Sequence, residues 1–274
     1  MLVMPTAAPP IHKSAVITGD VTLGEQVSVG PHCVIDGTIA PITIGDGCRL
    51  IAQVYLTGPL TLGSHNTLWP GAALGGPPQD VNYDPAEPGS GLVIGDHNVF
   101  REAVSVHRSK ADQPTRIGHH NYFMATSHVG HDSVLGDRIQ LANGALVAGH
   151  VHMGDRVILG GNSGVHQFCR VGSGAMIQGA GGASMDVPPW CIVAGISKVD
   201  GINLIGMRRS GMSQEEIQRR RAIYKLIFRS RRTMTSVVEQ LRAEGDPIAL
   251  EYADFITSSQ RGVCKPGDRI GRQR

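Results

Sequence analysis

Aromatic side chains make up only 4% of these 274 residues, too few to fill the broad core of an ordinary globular domain. Cysteine is equally uninformative as a scaffold. The five cysteines are odd in number and include no C-x-x-C pair, which excludes a disulfide framework and a zinc ribbon and points to a reducing compartment. No apolar run approaches the ~20 residues of a membrane span, and Met1 to Pro10 contains no basic segment followed by an apolar one. A formal net charge of +2 gives no global reason to expect nucleic acid or a membrane surface as a partner. The expectation is a soluble cytoplasmic protein.

Glycine is what the chain has in excess: 36 residues, about twice the usual ~7% share. Its placement is regular. Ile117, Phe123, Val129, Leu135, Leu141, Val147, Met153, Leu159, Val165, Val171 and Ile177 recur every six residues, and a small residue follows most of them. A helical period of 3.6 drifts off this spacing within two repeats, and a simple strand would alternate at every second residue. Large apolar then small, every six residues, predicts a short strand that points one side chain inward and then bends where a Cβ would crowd the corner. Three such hexads close a coil, and coils stack into a parallel β-solenoid.

Upstream, Ile11 to Ile35, Ile44 to Leu74 and Ile94 to Val106 keep the same register in three blocks. In Leu62 to Asn66, Ile94 to Asn98 and Ile117 to Asn121 an Asn recurs four residues after the anchor, which predicts Asn at left-handed corner positions. The breaks predict loops extruded near 75–92 and 107–116, where function tends to sit. After Trp190 the hexads dissolve. Ser213-Gln214-Glu215-Glu216 has the spacing of a capping box that opens a helix; a second helix is expected over Thr235 to Ala243, a third after Asp246-Pro247, and a frayed tail from Lys265 to Arg274. The organisation is thus mainly β over 1–198, followed by an α-helical domain over 199–274.

Ordered motifs narrow this further: Gln79-Asp80, Val106-His107-Arg108, His128-Val129-Gly130-His131-Asp132, Ala148-Gly149-His150, Val165-His166-Gln167, Asp186-Val187-Pro188-Pro189 and Tyr224-Lys225-Leu226-Ile227. Together they resemble the UDP-N-acetylglucosamine O-acyltransferases of lipid A biosynthesis, from about Ile11 to Gly262. The resemblance implies a left-handed parallel β-helix, a homotrimer, acyl carrier protein as acyl donor, the 3-hydroxyl of UDP-N-acetylglucosamine as acceptor, and no cofactor or metal. It implies His131 as general base supported by Asp132, and the Gly149 amide as oxyanion donor. It assigns substrate contacts to Asp80, His128, His150, His166, Gln167, Asn203 and Arg209, and places Gly179 where acyl length is limited. A glycine there blocks nothing, so a long chain is expected. The family's lysine, glutamate and second arginine are replaced by Asn82, Ile205 and Ser210, which leaves a different nucleotide sugar open as acceptor.

The residue types suit the chemistry. Moving an acyl group from a thioester to a hydroxyl needs a base, an oxyanion donor and clamps on both substrates. Histidine titrates near working pH. Val129 is the inward anchor, so His128 and His131 should flank it on the outer surface, and His150 and His166 should follow one and two coils on, in equivalent parts of their hexads. A second reading is a γ-type carbonic anhydrase-like hydratase with metal ligands drawn from His107, His128, His131 and His150. The run Arg219, Arg220, Arg221, Lys225, Arg229, Arg231 and Arg232 has the sign needed to steer an acidic carrier protein.

Overall fold

The computed structural model describes residues 11–267. Short strands, most of two or three residues, repeat along three faces and pair only in parallel from one coil to the next until the last strands. Every anchor from Ile117 to Ile177 is buried, so the six-residue register is the core of the coil. The glycines mark close approach between coils: a Cβ on Gly130 would lie 2.6 Å from the Gly149 nitrogen. At the N-terminal end, Ile11 departs from the expected inward set and is 44% exposed.

The corner asparagines are placed differently from expectation. Asn66, Asn98 and Asn121 are buried, and each side-chain oxygen accepts the backbone amide of the coil above, Asn98 at 2.8 Å, Asn121 at 2.8 Å and Ile139 at 2.7 Å. The left-handed position belongs to the preceding His65, His97 and His120, at φ of 58°, 58° and 59°. The buried amide ladder satisfies backbone donors inside the corner, which outweighs the conformational tolerance of Asn. The break after Ile35 is also no gap: Val34–Ile44 is one strand that runs across two faces.

The coil ends where Cys191–Val193 pairs antiparallel with Lys198–Ile202. Four helices follow: α1 (Leu204–Arg209), α2 (Gln214–Arg229), α3 (Met234–Glu244) and α4 (Pro247–Thr257). The first was not legible in the sequence. The Ser213–Glu216 capping box forms as expected, and Asp246 caps α4 with Pro247 in its first turn. Apolar residues of α2, α3 and α4 join the core of the coil, and the Tyr252 hydroxyl donates to the Pro189 carbonyl at 2.9 Å. Two of the expected steering arginines are spent on this packing. Arg219 pairs with Glu244 and Asp246, and Arg220, 9% exposed, pairs with Glu251 at 2.8 Å. Lys265–Pro266, expected to fray, pairs with Lys198 and Val199; residues 268–274 of that tail lie outside the described residues.

Candidate active site

One face of the coil sets Ser105, His128, Leu146 and Gly164 in register across four successive strands. His131 and Asp132 lie at the corner that ends this face. Asp132 takes φ 62°, and the same corner position is filled by His150 (φ 59°) and Phe168 (φ 65°) one and two coils on. The third residue after each anchor Val129, Val147 and Val165 therefore forms a column. His166 is not in it, contrary to the expected equivalence with His150: it is the first residue after Val165, and Phe168 occupies the place above His150, ring on ring at 4.5 Å.

The pair at the base of this column is tightly built. His131 Nδ1 lies 2.5 Å from Asp132 Oδ2, and His150 Nε2 approaches the same oxygen at 3.5 Å. The other carboxylate oxygen accepts from the Ser109 hydroxyl and from the amides of Lys110 (3.2 Å) and Ala111 (2.9 Å). The Asp132 amide donates to Thr115 Oγ1 at 2.8 Å. Burial alone would raise the Asp132 carboxyl, but the bonds from His131, Ser109 and Ala111 outweigh it and hold the group well below the usual carboxylate range. An ionised Asp132 keeps the ring proton of His131 on Nδ1 and leaves Nε2 with a lone pair.

That nitrogen faces Gly149. A Cβ at 149 would lie 3.0 Å from both Cε1 and Nε2 of His131, so the bare glycine keeps open the space at the basic nitrogen. Among the described residues no carbonyl accepts the Gly149 amide. His131, Gly149, His128, His166 and Gln167 all line one groove of about 1010 Å³, whose lining also includes the small residues Ala148, Gly164, Ala180 and Gly182. His128 Nδ1 contacts the Ser105 hydroxyl at 2.8 Å, and burial lowers the pKa of both His128 and His150. His166 Nδ1 lies 3.2 Å from Arg261.

Gln79 of the first extruded loop and His107 at the start of the second line the groove. Arg108, fully buried, donates to the carbonyls of Gly75 (2.9 Å), Pro85 (2.9 Å) and Glu87 (2.8 Å) and so ties the loop over 77–91 to the coil. Lys110 reaches the Asp80 carboxylate from the second loop, so a cation stands at the first loop although position 82 is Asn. Gly179 sits at an exposed corner next to Ala180, where an added Cβ would meet only Gly161 at 3.4 Å.

Asn203 and Arg209 are elsewhere. They line a second cavity of about 890 Å³, with Tyr122, Ile205 and Ser210, against the face bearing Tyr122–Phe123 and Met176–Ile177. The Asn203 side chain caps α1, accepting from Gly206 N at 2.9 Å and donating to the Gly174 carbonyl at 2.8 Å.

Residues 186–264 match the family described as Udp N-acetylglucosamine O-acyltransferase, Domain 2. The acyl-[acyl-carrier-protein]–UDP-N-acetylglucosamine O-acyltransferase of Sinorhizobium fredii is 37% identical over 262 residues, covering 93% of this chain and 95% of that protein. The chain belongs to this O-acyltransferase family. The Anaeromyxobacter dehalogenans acyltransferase (strain 2CP-1 / ATCC BAA-258) is 44% identical over 196 residues, 70% of this chain and 76% of that protein. The UDP-N-acetylglucosamine O-acyltransferase structure from Moraxella catarrhalis superposes with a TM-score of 0.87 at 34% identity, covering 94% of this chain and all of that one. The fold is thus the left-handed β-helix with C-terminal helices of these acyltransferases.

Within this acyltransferase, two site residues escaped sequence reading. Ser109 and Lys110 lie in no motif, and only the coil, by stacking residues 22 or 23 apart, brings them to Asp132. His107, of the Val106-His107-Arg108 motif, lines the groove; its ring packs edge-on against His128, and burial pushes its pKa down to about 4. Of the four histidines weighed as metal ligands, His131 and His150 converge, with Asp132 as the third group, whereas His107 and His128 belong to no such cluster among the described residues.

Proposed function

We propose that this protein transfers a long, 3-hydroxylated fatty acyl group from acyl carrier protein to the 3-hydroxyl of UDP-N-acetylglucosamine, the first step of lipid A biosynthesis. The observation that carries this is the His131–Asp132 pair with Nε2 open toward the bare Gly149. Nε2 takes the proton of the sugar hydroxyl as its oxygen attacks the thioester carbonyl. The Gly149 amide donates to the oxyanion that forms, and Asp132 stabilises the imidazolium. Collapse of the adduct breaks the C–S bond, and the thiolate leaves with the proton held by His131. His128, His166 and Gln167 hold substrate along the groove, His150 contacts it from the corner beside Asp132, Asp80 contacts the sugar from the loop, and the small residues beyond Gly149 and Gly179 accommodate the chain. No cofactor enters this scheme.

The cavity of Asn203 and Arg209 lies on a different face from the groove, so both contribute to one site only if a neighbouring copy supplies the second half. A cytoplasmic homotrimer with three such shared sites is the assembly this supports, the coil over 1–198 forming the shared wall and the helical part over 199–274 facing the carrier protein. The test is incubation with 3-hydroxyacyl carrier protein and UDP-N-acetylglucosamine, followed by mass detection of the O-acylated sugar nucleotide. Product that disappears in His131→Ala supports the reading; no product from the folded parent refutes it. Ile205 and Ser210 in the second cavity favour one further reading, the same transfer to another nucleotide sugar. Turnover with that acceptor alone would select it.

A further inference from the structure

The groups that orient the base also form a chelate. His131, Asp132 and His150 each offer a ligand atom within 4.8 Å of the other two, the one cluster of three His, Cys, Asp or Glu groups so gathered among the described residues, and both His131 Nδ1 and His150 Nε2 approach Asp132 Oδ2. Zinc bound by nitrogen and carboxylate oxygen at about 2.0–2.2 Å in a tetrahedron keeps its ligand atoms roughly 3.3–3.5 Å apart. His150 Nε2 already stands 3.5 Å from Asp132 Oδ2. The His131–Asp132 contact of 2.5 Å has to open by about 1 Å, which a shift of the ring proton from Nδ1 to Nε2 permits.

The surroundings are those of a supported site. Ser109 and the amides of Lys110 and Ala111 fix the outer oxygen of Asp132, and the flat stack on Phe168 fixes the His150 ring. The three side chains are 15%, 4% and 26% exposed, enclosed yet open to solvent at the two imidazoles, and His131 lines the groove. Two imidazoles and one carboxylate suit zinc, cobalt, nickel or copper; magnesium and calcium need more oxygen ligands than the cluster offers.

We propose that His131, Asp132 and His150 form an inhibitory binding site for a zinc-class divalent ion, with water as the fourth ligand. The metal takes the Nδ1 lone pair of a neutral His131. The single ring proton then resides on Nε2, so the nitrogen that faces Gly149 has no lone pair for a sugar hydroxyl. No proton is lost overall and no bond to substrate is made. Occupancy therefore stops acyl transfer without removing any residue. The inhibition half of this proposal rests on the acyl-transfer reading; the binding half does not.

The test is calorimetric titration of chelator-treated protein with Zn²⁺, with the visible bands of tetrahedral Co²⁺ as a second readout. One ion per chain is expected, at micromolar affinity or tighter, weakened at least tenfold in His150→Ala and several-fold in Ser109→Ala, with Mg²⁺ giving no heat. His150→Gln provides a second ligand variant, and circular dichroism checks that each variant is folded. Wild-type acyl transfer should fall as Zn²⁺ saturates and return on addition of EDTA. Absence of binding, or binding unchanged in both folded His150 variants, overturns the site. Binding without loss of transfer in an active enzyme overturns the inhibition.

Discussion

Gly149→Ala isolates the space at the base from the rest of the site. The backbone of Gly149 lies outside the left-handed region, so alanine is conformationally permitted, and the amide N–H is retained. What changes is one methyl group, 3.0 Å from His131 Nε2. A hydroxyl oxygen giving up its proton must sit about 2.6–3.2 Å from that nitrogen, and the methyl claims the same volume. A displacement of about 1 Å from the reacting geometry costs about 10²-fold in rate, which is about 2.7 kcal/mol of barrier. The nearest atoms to the Cβ belong to the His131 ring and to the His131 carbonyl oxygen at 3.2 Å, so no contact falls below 3.0 Å and the fold should hold, with Tm within about 4 °C of the parent. The assay is steady-state turnover with carrier-protein donor and UDP-N-acetylglucosamine, beside a calorimetric melt. Turnover within threefold of the parent would refute the assignment of that space to the reacting hydroxyl.

Asp132 should also leave a mark on stability. Its folded pKa is depressed, so its contribution is complete above about pH 5 and is lost as pH falls below the unfolded value near 3.9; the stability gap between parent and Asp132→Asn in urea should shrink from pH 6 to pH 3, and a gap that widens with acid contradicts this. Reversing Arg221, Lys225 and Arg231 to Glu should raise KM for acyl carrier protein but not for a small thioester, an effect that added salt mimics. Arg220→Ala should instead cost about 1 kcal/mol of stability, since Glu251 is 36% exposed and stays solvated when its partner is removed, and unchanged melting would show that pair to be idle. Mixed assemblies of His131→Ala with Arg209→Ala should regain part of the activity each lacks, as measured after co-expression; inactivity of well-mixed hybrids would mean the two cavities serve separate ends.

What could be read without coordinates was whatever repeats. The hexad anchors carry the coil because inward packing demands the same kind of residue at each layer, and the spacing Val129 to Asp132 and Val147 to His150 already aligned the carboxylate with the next imidazole. What could not be read depends on contacts between layers with no periodic signature. Ser109 reaches Asp132 only because a coil with its loop separates them by 23 residues. Charge sign failed for a related reason: Arg219 and Arg220 look solvated in a basic run, yet the acids that engage them come from 25 to 31 residues downstream. The helix α1 was missed because six residues cannot declare a period. His166 follows its anchor Val165 directly, whereas His150 stands three residues after Val147, so Phe168 and not His166 continues the column of His150.

The anchoring of the loop over 77–91 by Arg108 governs how molecules get in. Swinging that loop outward would strip two carbonyl acceptors, Pro85 and Glu87, from a guanidinium that is 0% exposed and already has one nitrogen without a partner among the described residues. Such a motion is too costly to accompany every turnover. The loop is therefore a fixed jamb rather than a lid. The wall that it gives the groove through Gln79 is therefore the same for the entering substrates as for the departing products.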